Sequence, residues 1–330
     1  MIISQTPFRI SFFGGGTDYP QWYRENGGAV LGTTIDKYCQ ISCRFLPPFF
    51  EYKHRLVYSV TELVNEFSEI RHPAIRECLK FLPPGNGVEV HHDGDLPARS
   101  GLGSSSAFTV GMIHTLHALR GEMISKMDLA KQALHVEQNL IGEAVGSQDQ
   151  VAACFGGLNH IVFRQDGSFN VTPVILSAGR RANLHDHLML FFTGFQRNAF
   201  EIASKQIENF PNTRQQLLRI QSMVDEGLGI LGDSSIPIER FGELLHEGWV
   251  LKRSLAQGVS TSEIDQIYNA GRSAGALGGK LLGAGGGGFI LFFVKPEDQA
   301  RVRARLASLV HVSFAFETQG SRIILYDPNL

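Results

Sequence analysis

Residues 97–108 read PARSGLGSSSAF. Two glycines bracket a leucine, and three serines run straight into an alanine. Residues 88–92 upstream read as a strand, and residues 107–119 downstream have the apolar spacing of a buried helix. A strand, a glycine turn and a serine-opened helix together make an anion site. Backbone N–H groups at a helix N-terminus, and the positive end of its dipole, favour phosphate. Glycine lets the backbone approach the ligand closely. A serine hydroxyl placed there can also ligate Mg²⁺. The same letters also suit an ordinary helix start with serine caps, so the rest of the chain must decide.

A second glycine cluster, Gly283-Ala-Gly285-Gly286-Gly287-Gly288, matches G-x-G-x-x-G. A dinucleotide fingerprint needs a strand before it and a helix after it. Here a helix and Lys280-Leu-Leu precede and the strand FILFFV follows, so that reading is rejected. A Walker A loop fails as well, because Lys280 is followed by leucine and lacks the required glycine upstream. Two acids downstream of the serines favour the anion site. Glu137 lies on the predicted helix QALHVEQNLIG, and Asp149 follows in GSQDQ. Mg²⁺ takes one or two carboxylates plus phosphate oxygens and water. A second carboxylate can receive the proton of an attacking hydroxyl.

The bulk numbers set limits. The chain has 330 residues, 43% of them hydrophobic, which suits two domains. A net charge of −2 with no basic block argues against nucleic acid and anionic membrane as partners. Cys39, Cys43, Cys78 and Cys154 fit no zinc spacing and read as reduced core thiols. With no signal-type segment and no apolar run of membrane-spanning length, a cytoplasmic protein is expected. His185-Asp-His187 reads as a surface turn and Trp249 as a helix anchor in the core.

Along the chain, residues 2–13 read as a strand entering a turn at Gly14-Gly15-Gly16. Residues 29–45 are strand-rich, and 56–58 form a short strand. Ser59, three before Glu62, is a capping-box signal. Residues 73–82 read as a helix, and Ser125 opens another that runs to 141. Residues 158–163, 169–175 and 187–193 read as strands. The second half turns helical over 199–210, 214–231, 238–257 and 262–274. A strand over 289–294, a helix over 297–310 and a strand over 322–326 complete it. The composition shift near 179–183 divides the chain into domains 1–180 and 181–330 of α+β class.

Three segments, in order, resemble the three motifs of the GHMP kinases. They are residues 7–18 (PFRISFFGGGTD), residues 97–107 and residues 280–288. The resemblance implies a ribosomal-S5-domain-2-like first domain and a ferredoxin-like second domain. ATP would lie between them on Arg99, Ser100, Gly101, Leu102, Gly103, Ser104, Ser105 and Ser106. Ser105, or a neighbouring serine, and Glu137 resemble the Mg²⁺ ligands. Asp149 resembles the catalytic aspartate of the galactokinase-type GxxDQ segment, and Arg9 the arginine beside it. Asp18 resembles the aspartate that holds sugar hydroxyls, with Gly15, Gly16 and Thr17 in the same turn. Gly285 and Gly286 would support the phosphate loop and the substrate pocket.

The substrate follows from departures within the first motif. Galactokinases carry Gly-Glu-His-Thr-Asp where this chain has Gly14-Gly15-Gly16-Thr17-Asp18, which removes the polar contacts to galactose. GGGTD, TTIDKY at 33–38, DLPARSGLGSSS and FFTGFQRNA at 191–199 resemble the D-glycero-D-manno-heptose 7-phosphate kinase branch. Fucokinases, with a similar GGxTD turn, are the nearest rival. A phosphorylated acceptor needs cations, and Arg197 is the first candidate for its distal phosphate, ahead of Lys37 and Arg99. A non-catalytic ATP and sugar sensor is the second class considered; retention of Arg9, Glu137 and Asp149 favours an enzyme. An RNA-binding role through the S5-like fold is disfavoured by the charge balance. Homodimerisation is left open.

Overall fold

The computed structural model describes residues 1–98, 100–195 and 199–327. The first half runs β1 (Ile2–Phe13), α1 (Pro20–Asn26), β2 (Gly28–Phe45), β3 (His54–Val57), β4 (Thr61–Val64), α2 (Pro73–Phe81) and β5 (Val88–Gly94). It continues through α3 (Ser104–Leu119), α4 (Lys126–His135), α5 (Gln148–Phe155), β6 (Leu158–Phe163), β7 (Phe169–Pro173) and α6 (Ala178–Asp186). The second half has β8 (Leu188–Phe192), α7 (Ala199–Glu208), α8 (Arg214–Gly232), α9 (Glu239–Arg253) and α10 (Ser262–Ser273). Then come β9 (Ala276–Leu281), β10 (Phe289–Val294), α11 (Gln299–Arg305), β11 (Val310–Val312), β12 (Phe316–Glu317) and β13 (Arg322–Tyr326).

Two sheets result. The larger has nine strands with a spine β13-β1-β2-β5-β3-β4, with β6 and β12 also on β2 and β7 on β6. The long strand β2 is its organiser. Residues 28–33 pair with β6 and residues 39–45 pair with β5, so one strand serves two neighbours in succession. The smaller sheet is ordered β11-β8-β10-β9 and is antiparallel throughout. Helices follow its first strand and separate its third from its fourth, the ferredoxin-like arrangement. Helix α3 is apolar nearly all round and has thirteen buried residues, as a helix enclosed on every side should. It packs on β1 and β2 and on α5, so the serine run at its start is held by the core itself.

Several local readings are corrected. Ser59 and Glu62 do not open a helix. Thr61–Val64 pairs with β3 as a hairpin, and the Glu62 carboxylate accepts from the Tyr58 hydroxyl at 2.6 Å and the Arg71 amide at 2.8 Å. The segment before the second glycine cluster is a strand, β9, rather than helix alone. Its two glycines hide a strand signal, but they allow the close packing of Gly278 on α9 and Gly279 on Phe292. The helix expected over 297–310 is shorter. It is the turn Pro296–Asp298 followed by α11, and Val310 already belongs to β11. The proposed boundary near 179–183 lies inside α6. A cut at 180/181 also leaves two strands of the second half, β12 and β13, in the first sheet. Among the described residues no helix is long and apolar enough to cross a membrane.

Trp249 is fully buried, as expected, and the four cysteines are buried and unpaired. One charge cluster contributes to the acid stability of the first sheet. Glu89 on β5 is buried, and its carboxylate accepts from Arg44 Nε at 2.7 Å, Arg55 Nε at 2.8 Å and His91 Nε2 at 2.7 Å. Burial pushes its carboxyl up, but the bonds from His91, Arg44 and Arg55 outweigh that and hold it at about 2. The folded value lies below the unfolded one of about 4.3. Its stabilising contribution is therefore complete above that value and is lost as pH falls toward 2. Glu89→Gln should flatten the fall of melting temperature between about pH 4.5 and 2. An acid slope equal to that of the unsubstituted protein would contradict this.

Candidate active site

The expected phosphate loop is built by two left-handed glycines, Gly101 at φ +82° and Gly103 at φ +76°, with Leu102 between them fully buried. Leu102 anchors the turn in the core and Gly103 then opens α3, with no side chain capping the helix. The second glycine cluster braces this loop from behind. A Cβ on Gly101 would lie 2.4 Å from the Leu282 carbonyl oxygen, and one on Gly283 would lie 2.5 Å from Gly101 Cα. The Phe289 amide donates to the Ser100 carbonyl at 3.0 Å. The two glycine segments thus form one unit.

In front of the loop lies a cleft of about 250 Å³, walled by residues of both halves of the chain. Arg9 on β1 reaches it and grips Asp149 with two bonds, Nε to Oδ1 at 2.7 Å and Nη2 to Oδ2 at 2.6 Å. Its remaining Nη1 donates to the Gly101 carbonyl at 2.6 Å. Arg9 is nearly buried, whereas the Asp149 side chain keeps 23% of its surface. A bidentate charge-assisted pair of this kind fixes the carboxylate in position and direction. Asp149 is presented by the first turn of α5, directly beside the phosphate loop.

Asp18 lines the same cleft and is 1% exposed. Its Oδ1 accepts from the Gly16 amide at 2.9 Å and its Oδ2 from the Gln148 amide at 3.2 Å. Burial raises its carboxyl above the ordinary range, against the pull of the Gly16 amide. Asp18 therefore ties the turn after β1 to the segment that carries Asp149. Gly15 and Gly16 line the cleft with it.

The expected metal pair is brought together, with one change of serine. Ser106, 4% exposed, donates from Oγ to Glu137 Oε2 at 2.9 Å, whereas Ser105 is exposed on the next position of α3. Glu137 stands on a widened π turn, Val136–Ile141, that continues α4, a departure from regular helix common at functional sites. It is 1% exposed, and its Oε2 also accepts from Gln150 Nε2. Its Oε1 is buried without a hydrogen-bond partner among the described residues. Burial raises the carboxyl to about 7, opposed by hydrogen bonds from Thr109, Gln150 and Ser106.

Other expected contacts fall elsewhere. Thr17 is fully buried, and its hydroxyl donates to the carbonyls of Gly14 at 2.8 Å and Ala29 at 3.0 Å, so it holds the turn and stands outside the cleft lining. Lys37 sits at a bulge of β2 and donates to Asp36 at 3.1 Å, outside the cleft lining. Gly285 and Gly286 lie against Val259, whose carbonyl accepts from the Gly286 amide at 3.0 Å; Gly283 and Ala284 line the cleft instead. Ser100 and Leu102 are buried behind the loop, while Gly101, Gly103 and the three serines face the cleft. Arg99 and Arg197 lie outside the described residues.

Two lysines of the cleft carry no assignment in the sequence analysis, Lys252 on α9 and Lys280 on β9. Both are buried. A signal for Lys252 existed. Leu245, Trp249 and Lys252 follow at four and three residues, which puts the lysine on the buried face of its helix.

Comparison with known proteins agrees with this geometry. The GHMP kinases N terminal domain matches residues 58–157 and the GHMP kinases C terminal domain residues 235–311. D-glycero-alpha-D-manno-heptose 7-phosphate kinase of Campylobacter jejuni is 28% identical over 317 residues, covering 89% of this chain and 90% of its own. A galactokinase of Thermosipho africanus is 25% identical and covers 88% of each chain. The crystal structure of a D-glycero-D-manno-heptose 1-phosphate kinase from Bacteroides thetaiotaomicron has the same fold, with a TM-score of 0.80 at 21% identity over 98% of each chain. Both matched regions contribute residues to the cleft, and the chain belongs to the GHMP kinase family, phosphotransferases with an alcohol group as acceptor.

Proposed function

We propose that this kinase transfers the γ-phosphoryl group of ATP to the anomeric hydroxyl of a sugar phosphate, with D-glycero-D-manno-heptose 7-phosphate as the acceptor. The observation that carries the reading is the bidentate Arg9–Asp149 pair at the edge of the phosphate loop. Similarity to the heptose 7-phosphate kinase over nine-tenths of both chains supports the choice of sugar.

The phosphate loop and the start of α3 hold the donor phosphates through backbone amides and serine hydroxyls. Asp149 accepts a hydrogen bond from the acceptor hydroxyl and receives its proton as the new O–P bond forms and the bond from the γ-phosphorus to the β,γ-bridging oxygen breaks; ADP leaves. Arg9 holds Asp149 in position and direction through its two bonds. Asp18 and the turn residue Gly15 position the sugar. Because the transition state of phosphoryl transfer is loose, positioning and electrostatics outweigh base strength.

Glu137, with its buried unpartnered Oε1, and the Ser106 hydroxyl form a donor set that suits Mg²⁺, with Ser105 at the cleft surface beside them. When bound, the ion supplies charge neutralisation at the phosphate oxygens. Arg197 remains the proposed partner of the distal phosphate.

The test is ADP release from ATP·Mg²⁺ with D-glycero-D-manno-heptose 7-phosphate, fucose, galactose, mannose, mevalonate and homoserine. Turnover of the heptose phosphate is expected, with a KM that rises about tenfold or more in Arg197→Ala, the size of one lost charge-assisted contact. Turnover of fucose alone would replace the substrate, and an unchanged KM in Arg197→Ala would remove that residue from the pocket.

A further inference from the structure

Two buried lysines stand in the cleft, and the reaction as described gives neither a task. Lys252 Nζ donates to the Leu281 carbonyl at 3.2 Å and also to the Gly283 carbonyl. Lys280 Nζ donates to the Phe12 carbonyl at 2.9 Å. Their bonds are to neutral carbonyls, and among the described residues neither forms an ion pair with a carboxylate. An ammonium has three donors, so among the described residues Lys252 keeps one and Lys280 two for a ligand.

Burying an ammonium without a counter-charge is expensive, several kcal/mol in real proteins, and a methionine would fill the same space without that cost. The neighbouring charges do not cancel these two. Arg9 and Asp149 neutralise each other face to face. The Asp18 carboxylate is already taken by two backbone amides. Glu143 stands at the cleft wall, half buried. The lysines also bracket the reacting region. Lys252 touches the carbonyl of Gly283, the residue packed on Gly101 of the phosphate loop. Lys280 reaches the strand end just before the Gly14–Asp18 turn that lines the acceptor side.

We propose that Lys252 and Lys280 are catalytic residues that hold the phosphoryl group in transit, Lys252 from the donor-loop side and Lys280 from the acceptor side. They act in the ammonium form and make no covalent bond; their charge meets negative charge on the equatorial oxygens as it passes from donor to acceptor. Fixed cations in a dry site are worth far more to such a transition state than cations in water. The assignment rests on the kinase reading above.

The burial that makes the charge effective also lowers the basicity of these groups. Burial, with Arg9 nearby, brings Lys252 down to about 8, against the pull of Asp18 and Asp149. Burial, then Lys252 and Arg9, bring Lys280 well below its ordinary value, against Asp18. Arg9 on β1, Asp18 in the turn after it, Asp149 on α5, Glu143 at the wall and the partner lysine are the charged groups lining the cleft with each. Loss of the charged form on raising pH should therefore remove activity.

The experiment compares the full chain with Lys252→Met, Lys280→Met and Lys252→Arg. It measures kcat, both KM values, the pH profile, and the affinities for ADP and for ADP with aluminium fluoride in the presence of acceptor. Either methionine variant should lose about 10²–10³-fold in kcat, with both KM values within about threefold. Aluminium fluoride should no longer tighten ADP, while ADP alone binds as before. Lys252→Arg should recover part of the rate and move the alkaline limb upward. A kcat within about threefold of the unsubstituted protein in both methionine variants would overturn the proposal. So would equal losses in ADP affinity and melting temperature, which would make the lysines braces of the glycine loop. Absence of turnover by the unsubstituted protein with every acceptor would instead sink the kinase reading, and the two aluminium fluoride affinities would still judge the lysines.

Discussion

Asp149→Asn is expected to lower kcat by about 10²–10⁴-fold, the range for loss of a positioned proton acceptor. The substitution keeps the shape of the side chain and removes its charge. An amide offers Arg9 one acceptor oxygen where the carboxylate offers two, so one of the bonds at 2.6 and 2.7 Å becomes donor against donor. The proton of the acceptor hydroxyl also loses its destination. In the proposed reaction the donor phosphates rest on a separate set of groups, the loop amides and the start of α3, so the KM for ATP should stay within about threefold. Arg9 is left nearly buried without its counter-charge, and a lower melting temperature should accompany the rate loss. A kcat within tenfold of the unsubstituted protein would leave Asp149 with a structural role only.

The second large effect is structural. Gly101→Ala should remove ATP binding and reduce stability together. The position has φ +82°, and a methyl there would lie 2.4 Å from the Leu282 carbonyl oxygen, a contact with backbone that no rotamer can relieve. The left-handed conformation alone costs about 1–2 kcal/mol for a residue with a Cβ. Forced separation of two packed backbones adds roughly 1–3 kcal/mol. The Gly101 carbonyl is also the acceptor of Arg9 Nη1, so a shifted loop disturbs the Arg9–Asp149 pair as well. Loss of about 2–5 kcal/mol, read by denaturant unfolding, with ATP affinity down at least 100-fold, is the expected result. A stable variant with normal ATP affinity would mean that the two glycine loops do not act as one unit.

The sequence made some of this legible and hid the rest for identifiable reasons. The strand, glycine turn and buried helix around residues 88–119 were readable because positive-φ glycines and an all-apolar helix leave a local signature. Asp149 and Arg9 were readable through their motifs, although they lie 140 positions apart and nothing local to either predicts the contact. Thr17 and Lys37 were misplaced because a motif fixes the neighbourhood of a residue and not the direction of its side chain. Thr17 turns inward to close the Gly14 turn, and Lys37 is turned aside at a bulge. Ser106 took the position beside Glu137 because consecutive helical residues point about 100° apart, and the geometry of the facing π turn selects between them. Strand β9 was hidden by its own glycines, whose low strand propensity is offset only by tertiary packing. Lys252 shows the general difficulty. Lysine in a core position reads as a surface residue unless the helical phase is counted.

The pairing of β13 with β1 has a consequence for the order of events during synthesis. Strand β1 carries Arg9 and is made before every other strand of its sheet, whereas its outer neighbour β13 is made after all of them. At about 5–20 residues per second, the first sheet waits on the order of tens of seconds with that edge bare. A bare strand edge invites pairing with other chains. The nascent protein is therefore most vulnerable to aggregation over the interval in which its second half is still being made. A chaperone or a slow translational step acting late should alter the yield of active molecules more than one acting early.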